Sequence, residues 1–458
     1  MPRPEPEIAR RLAREVVDAG ICTGCGACVA LAPEGMARMV ATESGVEPSF
    51  DHDAALPGLA WEACPGKGID YPELYRRHFG AAPEDWRVGH IDRLWTGHAS
   101  DPLVRRTGAS GGVTSAVLIH LLETGRIDGA VVVRQGIPEP EQASWFIART
   151  AEEVLACAQS VYVPVSVLDV LPHLVEGERY AMTCVPEQSA ALRVLQHAGD
   201  TRAGQVAFVL GPYTGTALDR RAIRSLLRAN GVANDDPVTS LKWRAGEWPG
   251  YLEIITASGR TIRSKKVYYN FLIPFFVTRT SLQSMDFANE FTDLSVGDAW
   301  SPKFEGLGQG FSVVASRTAE MSAIIDEMAA AGSLELEPAE VLEASAMHGH
   351  MIDFKKRGGY LRNRWREATW RRAPDYGLDP EPLDLPRIAV EVVISTIFGV
   401  CRTPLARWVM EHIPERILGP LFNHLRLAWK GASKPAKRKG LRDLRMQVRV
   451  PQWREPEV

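Results

Sequence analysis

Three cysteines stand two residues apart in Cys22-Thr23-Gly24-Cys25-Gly26-Ala27-Cys28, and a fourth follows in Ala63-Cys64-Pro65-Gly66. No other stretch limits the fold so tightly. Thiolates at this spacing reach corners of one iron–sulfur cube. The small residues between them let backbone N–H groups turn toward the sulfides, and a Cys-Pro from elsewhere closes the site. Four of the seven cysteines are used in this way. Zinc held by four cysteines usually pairs two C-x2-C hooks, and here the second hook is a single cysteine. A disulfide framework belongs to secreted chains, whereas Met1-Pro2-Arg3-Pro4-Glu5-Pro6-Glu7 is proline-rich and acidic, unlike a secretory leader. In a ferredoxin the run is usually completed by x3-Cys-Pro. Here that slot reads Val29-Ala30-Leu31-Ala32-Pro33, so a second cluster on this motif is not expected and Cys64 becomes the fourth ligand of the first. The expectation is one [4Fe–4S] cluster on Cys22, Cys25, Cys28 and Cys64.

The 458 residues suffice for two or three domains. A net charge of -3 gives no global nucleic-acid signature. No apolar run reaches the ~18 residues of a membrane helix. The nearest, 388–400, is too short and carries Glu391. An oxygen-sensitive cluster also suits a reducing compartment, so the expected location is the cytoplasm.

Residues 8–19 read as a short helix leading into the cluster, and 34–63 as a polar insertion with a small hairpin, Met39-Val40 against Val46-Glu47. In Arg105-Arg106-Thr107-Gly108-Ala109-Ser110-Gly111-Gly112-Val113-Thr114-Ser115 a glycine-rich loop opens an apolar-periodic helix, and a strand, 130–133, follows. Exposed N–H groups at a helix N-terminus suit a phosphate or pyrophosphate. The plainer reading is an N-cap at Ser-Gly-Gly. Residues 150–176 read as mostly helical and 206–210 as a buried strand ending in Gly211-Pro212-Tyr213-Thr214-Gly215. A helix follows over 217–230, antiparallel strands over 237–275, and another strand over 293–300. Strand, glycine turn and helix are the grammar of a parallel sheet with ligands at its carboxyl ends.

Two stretches are basic. Residues 353–372 carry eight Lys/Arg against Asp353 and Glu367, which reads as a solvated helix face or a clamp on an anion. Residues 402–450 carry twelve Lys/Arg against three acids, with apolar residues at helical spacing. That pattern fits an interfacial helix on an anionic membrane, a dock for a ferredoxin-like redox partner, or an amphipathic appendage with a disordered basic end.

Taken in order, these pieces resemble the family of coenzyme F420 hydrogenase and dehydrogenase beta subunits, which includes flavin-containing iron–sulfur reductases. The resemblance runs from about residue 20 to 377. It is carried by the cysteine run, by Gly108-Ala109-Ser110-Gly111-Gly112-Val113, by Trp248-Pro249-Gly250, and by Asn289-Glu290 with Asp293 and Gly297-Asp298-Ala299-Trp300. Residues 380–458 have no counterpart. The chain also departs from the family. Where a further cysteine is usual it has Glu187 (in Cys184-Val185-Pro186-Glu187-Gln188), Leu210-Gly211-Pro212, and Ser281 and Ser284. Serine and glutamate hold iron–sulfide centres poorly beside thiolate, so a second cluster is not expected. Cys157 and Cys401 read as buried small apolar residues.

The resemblance implies an α/β fold with α+β elements. The expected segments are a small ferredoxin-like iron–sulfur segment (1–85), a flavin and substrate domain in two parts (86–175 and 176–377), and a helical basic extension (378–458). It implies FAD on Ser110, Gly111, Gly112 and Thr114 and on the Gly211 turn, near Gly297 and Asp298, with Arg106 on the phosphate side. It also implies an oxidoreductase passing electrons between the cluster, the flavin and an organic substrate or deazaflavin. The alternative is an accessory electron-transfer subunit, or one serving surface-polysaccharide synthesis. The expected location is then cytoplasmic, with a peripheral place at the inner face of the membrane through residues 402–450 as the variant.

Overall fold

The computed structural model describes residues 6–454; the start, Met1–Glu5, lies outside them. The strands, in chain order, begin with a hairpin of β1 (Ala37–Ala41) and β2 (Val46–Phe50). Then come β3 (Arg93–Ala99), β4 (Gly129–Gln135), β5 (Ala143–Ala148), β6 (Tyr180–Thr183) and β7 (Val206–Pro212). Next are β8 (Val238–Ala245), β9 (Tyr251–Thr256) and β10 (Thr261–Lys265), then β11 (Leu294–Asp298), β12 (Ser312–Ser316) and β13 (Leu334–Pro338). The last pair is β14 (Leu378–Glu381) and β15 (Arg445–Val448).

Eight strands form the central sheet in the order β13-β3-β12-β11-β7-β6-β4-β5. Apolar runs such as Ala130-Val131-Val132 and Phe208-Val209-Leu210 are buried, as expected of strands covered on both faces. Neighbours β11, β7, β6 and β4 run parallel; β12 is antiparallel to both β11 and β3, so β3 points the same way as the parallel block. The carboxyl ends of β3, β11, β7 and β6 therefore lie along one edge, where α/β sheets receive ligands. The separate sheet β10-β9-β8 is antiparallel throughout. Its alternation places Leu252, Ile254 and Ile262 inside.

The small hairpin forms as the sequence indicates, with Val40 opposite Glu47. Other expectations change. Only Ala151–Ala156 and a 3-10 turn, Leu168–His173, are helical within 150–176. The run between them, Val161-Tyr162-Val163-Pro164-Val165, is β-branched and broken by proline, which disfavours helix. The helix expected from 217 begins at Arg221, because Leu218 bridges to Val277 first. Residues beyond Lys265 leave the antiparallel pattern for two short helices, Lys266–Tyr269 and Leu272–Phe276. Cys157 and Cys401 are half-buried rather than buried.

The basic stretch 353–372 divides. Lys355, Lys356 and Arg357 are buried, while Arg364, Arg371 and Arg372 are exposed. Asp353 Oδ1 accepts from Arg357 Nε (2.7 Å) and Arg387 Nε (3.0 Å), and Glu391 accepts from Arg387 Nη2 (3.0 Å) and Arg362 Nη1 (2.6 Å). Lys356 pairs with Glu290, which also accepts from Tyr75. These charges pair with one another, as buried charges require, although Asp353 Oδ2 and Arg387 Nη1 keep no hydrogen-bond partner. Arg387 and Glu391 belong to the helix Leu385–Cys401, so the network fastens that helix to the body.

The basic extension is helical through its densest run, within Glu415–Arg442. It then returns as β15 against β14. Trp453 Nε1 donates to the Asp375 carbonyl (2.9 Å), and the Lys67 ammonium sits 3.3 Å from the Trp453 ring centre.

Candidate functional site

Cys22, Cys25, Cys28 and Cys64 line one small cavity, together with Gly24, Gly26, Val16 and Pro48. The loop is shaped by glycine. Gly24 and Gly26 take φ of 68° and 91°, and a Cβ on Gly26 would lie 2.6 Å from the Asp169 backbone N. The Gly24 N–H donates to Cys22 Sγ at 3.4 Å. Ala27–Ala30 begins a short helix just inside the run, and Leu59–Glu62 brings Cys64 across. Burial pushes all four thiols up, Cys25 to about 12, and the neighbouring sulfurs repel a thiolate charge on Cys22, Cys25 and Cys28 further. Four buried thiols of this kind stay protonated unless a cation compensates their charge. Among the described residues no three Cys, His, Asp or Glu side chains close on a single-ion site. Lys67 lies beside Cys64 and is buried, which lowers its ammonium to about 7 although the Cys64 charge works to raise it.

Cys184 follows β6 at the carboxyl edge of the sheet and is buried near Cys25, with its thiol pushed up to about 12 by burial. The cysteine cavity thus adjoins the edge where the other candidate residues lie. The positions where the family carries further cysteines also gather there. Lys355 Nζ donates to the Ser281 carbonyl (2.9 Å), and burial brings Lys355 to about 8 while Glu187 and Asp286 oppose that shift. Ser281 Oγ accepts from the Ala217 N–H (2.8 Å), and Ser284 Oγ donates to the Asp286 carbonyl (3.3 Å). A buried cation facing carboxylates occupies this region.

The glycine loop lies at the carboxyl end of β3. Ser110 Oγ donates to the Phe311 carbonyl (2.8 Å) and Gly111 N–H donates to Ser312 Oγ (2.9 Å), which seals the loop against β12. Ser110 is therefore not the N-cap. Gly112 is, at φ 76°, with no side-chain cap, and Val113–Glu123 begins with free first-turn donors beside the half-buried Thr114. Arg106 points to solvent. Its neighbour Arg105 faces the loop: Nε donates to the Gly310 carbonyl (3.1 Å), the guanidinium lies over Phe311, and Nη2 is buried without a partner. Sequence reasoning missed Arg105. Its place on the inner face of Pro102–Thr107 is the signal that separates it from Arg106.

Asp298 ends β11 and joins two sequence motifs. It accepts from Arg244 Nη1 (3.1 Å) and from Trp248 Nε1 (3.1 Å), and Trp248 packs on Trp300 with ring centres 4.9 Å apart. Arg244 comes from β8, so the small sheet is clasped to the edge of the large one. Beside it, Lys266 Nζ donates to Tyr162 Oη (2.6 Å). Burial alone would raise the Tyr162 phenol, but the Lys266 ammonium and Arg244 guanidinium outweigh it and hold the phenol below its ordinary value. Tyr213 Oη and His348 Nε2, both next to this cluster, are buried without partners. Gly297 is needed for packing, since a Cβ would strike the Tyr213 ring, and Gly211 gives its space to Asn289. Another cavity, about 470 Å³, lies elsewhere, between Trp61, Asp70, His197 and Trp453.

Two family profiles, described as coenzyme F420 hydrogenase/dehydrogenase, beta subunit N-term and C terminus, match residues 94–172 and 177–341. These ranges cover more than half of the chain, and the protein belongs to this family. Both leave out the four cysteines and everything after residue 341. The coenzyme F420-dependent sulfite reductase of Methanocaldococcus jannaschii is 29% identical over 186 residues, 40% of this chain and 26% of that protein. The coenzyme F420 hydrogenase subunit beta of Methanosarcina barkeri is 23% identical over 267 residues, 56% of this chain and 85% of that protein. One subunit of the F(420)H(2) dehydrogenase of Methanosarcina mazei is 29% identical over 199 residues, 40% of this chain and 50% of that protein. The chain thus spans about a quarter of the sulfite reductase and half of the dehydrogenase subunit. A chain of the F420-reducing [NiFe] hydrogenase complex from M. barkeri superposes with a TM-score of 0.49 at 21% identity, covering 62% of this chain and 96% of that one.

Proposed function

We propose that this family member is an iron–sulfur flavoprotein oxidoreductase that passes electrons between one [4Fe–4S] cluster, FAD and an organic substrate or deazaflavin. The observation that carries the reading is the convergence of Cys22, Cys25, Cys28 and the distant Cys64 on one cavity. In that reading the four cysteines would hold the cluster, and the small residues of the run would leave room for it between them. The cluster supplies single electrons, and the flavin joins them to two-electron chemistry.

The anionic end of FAD would lie at the uncapped start of Val113–Glu123, near Arg105, whose unpartnered Nη2 suits a phosphate oxygen. Asp298, with Arg244 and Trp248, shapes the substrate side. Tyr162 and Lys266 hold a proton there at an oxygen whose acidity the two cations raise. The Lys355 ammonium among Glu187, Asp286 and Ser281, where a second cluster would need thiolates, supports a single-cluster chain. Relatives named as hydrogenase and dehydrogenase subunits support a redox partner for this chain as well.

The test substitutes the cysteines singly. Cys25→Ala and Cys64→Ala should each abolish the broad visible absorption of the anaerobically purified protein, while Cys184→Ala should retain it. Unchanged spectra in the first two would remove the cluster from the account.

A further inference from the structure

The helix Leu385–Cys401 is amphipathic the wrong way round for a soluble surface. Its buried stripe is Arg387, Glu391 and Ile394, two charges and one apolar residue. Its outward stripe is Val393, Ile397 and Val400, the last 59% exposed. The following helix, Pro404–Glu411, continues the pattern, with Leu405 71% and Trp408 57% exposed. On Glu415–Arg442 the exposed Ile417, Leu421 and Leu425 recur every fourth residue, along one face. Twelve of the twenty exposed large apolar side chains among the described residues fall between 385 and 427, so the exposure is concentrated in these three helices.

We infer that residues 385–442 form a membrane-binding surface that seats its apolar face in the interfacial layer of an anionic bilayer. Charge selects this occupant. Lys434, Arg438 and Lys439 are exposed along the same long helix. The acids of the region are occupied: Glu411 binds Arg228 Nε (2.9 Å), Glu415 accepts from Ser264, and Asp443 lies 3.7 Å from Arg442. What remains open is apolar surface bordered by cations, the pattern of helices that lie on anionic membranes. No single helix among the described residues is long and apolar enough to cross a bilayer. The pair Leu385–Cys401 and Pro404–Glu411 reaches that hydropathy together but bends by 73°. Crossing would also strip Arg387 and Glu391 from Asp353 and Arg362, whereas lying flat leaves the network whole.

The full-length protein is sedimented with vesicles of phosphatidylcholine alone and of phosphatidylcholine mixed equally with phosphatidylglycerol. Binding is expected on the mixed vesicles, weakening with salt. Ile397→Glu combined with Trp408→Glu should weaken it about tenfold or more. Both sites are exposed, and an unchanged far-ultraviolet circular dichroism spectrum would verify that the variant folds. Lys434→Glu with Arg438→Glu, which leaves the apolar face intact, should remove the preference for the anionic vesicles. No sedimentation on either vesicle, equal sedimentation on both, or binding that ignores the apolar variant would overturn the inference. So would a dimer, seen by sedimentation velocity, that the apolar variant dissociates in place of any vesicle binding.

Discussion

Asp298→Ala is the most informative substitution outside the cysteines. Arg244 is almost wholly buried, and its guanidinium makes three bonds to the Asp298 carboxylate besides one to the Pro249 carbonyl (3.0 Å). Removing the carboxylate leaves that cation in the interior and the Trp248 indole N–H without its acceptor. Breaking one side of a buried pair costs about 3–5 kcal/mol. Asp298 is partly open to solvent, so water reaches the cation, and the lower end, about 3 kcal/mol, is expected. That is roughly a hundredfold shift in the folding equilibrium. Urea unfolding followed by tryptophan fluorescence reads it directly, with Trp248 and Trp300 beside the site. Asp298→Asn keeps an acceptor for the indole and should lose less. An unfolding free energy for Asp298→Ala within about 0.5 kcal/mol of the parent protein's would refute the clasp between the two sheets.

Three more outcomes are expected. Gly112→Ala forces a side chain into φ 76° and 2.6 Å from the Val104 carbonyl, so it should destabilise by at least about 1 kcal/mol in the same urea assay. Arg105→Leu should lower the flavin content of the purified protein, whereas Arg106→Leu, on the exposed neighbour, should not. Lys355 titrates near 8 when folded and near its ordinary value when unfolded, so between those pH values the unfolded chain binds more protons and stability rises with pH. Lys355→Met should remove that rise, and the difference between the two proteins should change by about 2 kcal/mol across pH 8 to 10.

The cysteine run, the hairpin after it and the strand-turn-helix units were legible in the sequence because spacing and periodicity are local. So was the ordering of motifs that marks the family. What failed was non-local. The lysines and arginines of 353–372 look solvated in a linear reading, and only the fold brings Glu290 and Glu391 to meet Lys356 and Arg362. Periodicity alone cannot tell which face of Leu385–Cys401 is buried when Arg387 and Glu391 have partners inside. The adjacent pair Arg105 and Arg106 differ only in helix face, so residue type gave no way to choose between them. Asp298 was visible as a motif residue, but its partner Arg244 lies outside any motif and was found through the packing of the two sheets.

The central claim is one cluster and one flavin in each chain. Anaerobic purification followed by iron, acid-labile sulfide, zinc and flavin quantification on a single sample tests it most directly. The account predicts about four irons, four sulfides and one flavin per chain, as a single [4Fe–4S] flavoprotein requires. Eight irons would contradict the reading of Glu187, Ser281 and Ser284 as positions without a cluster. Zinc without sulfide or flavin would contradict the redox function itself.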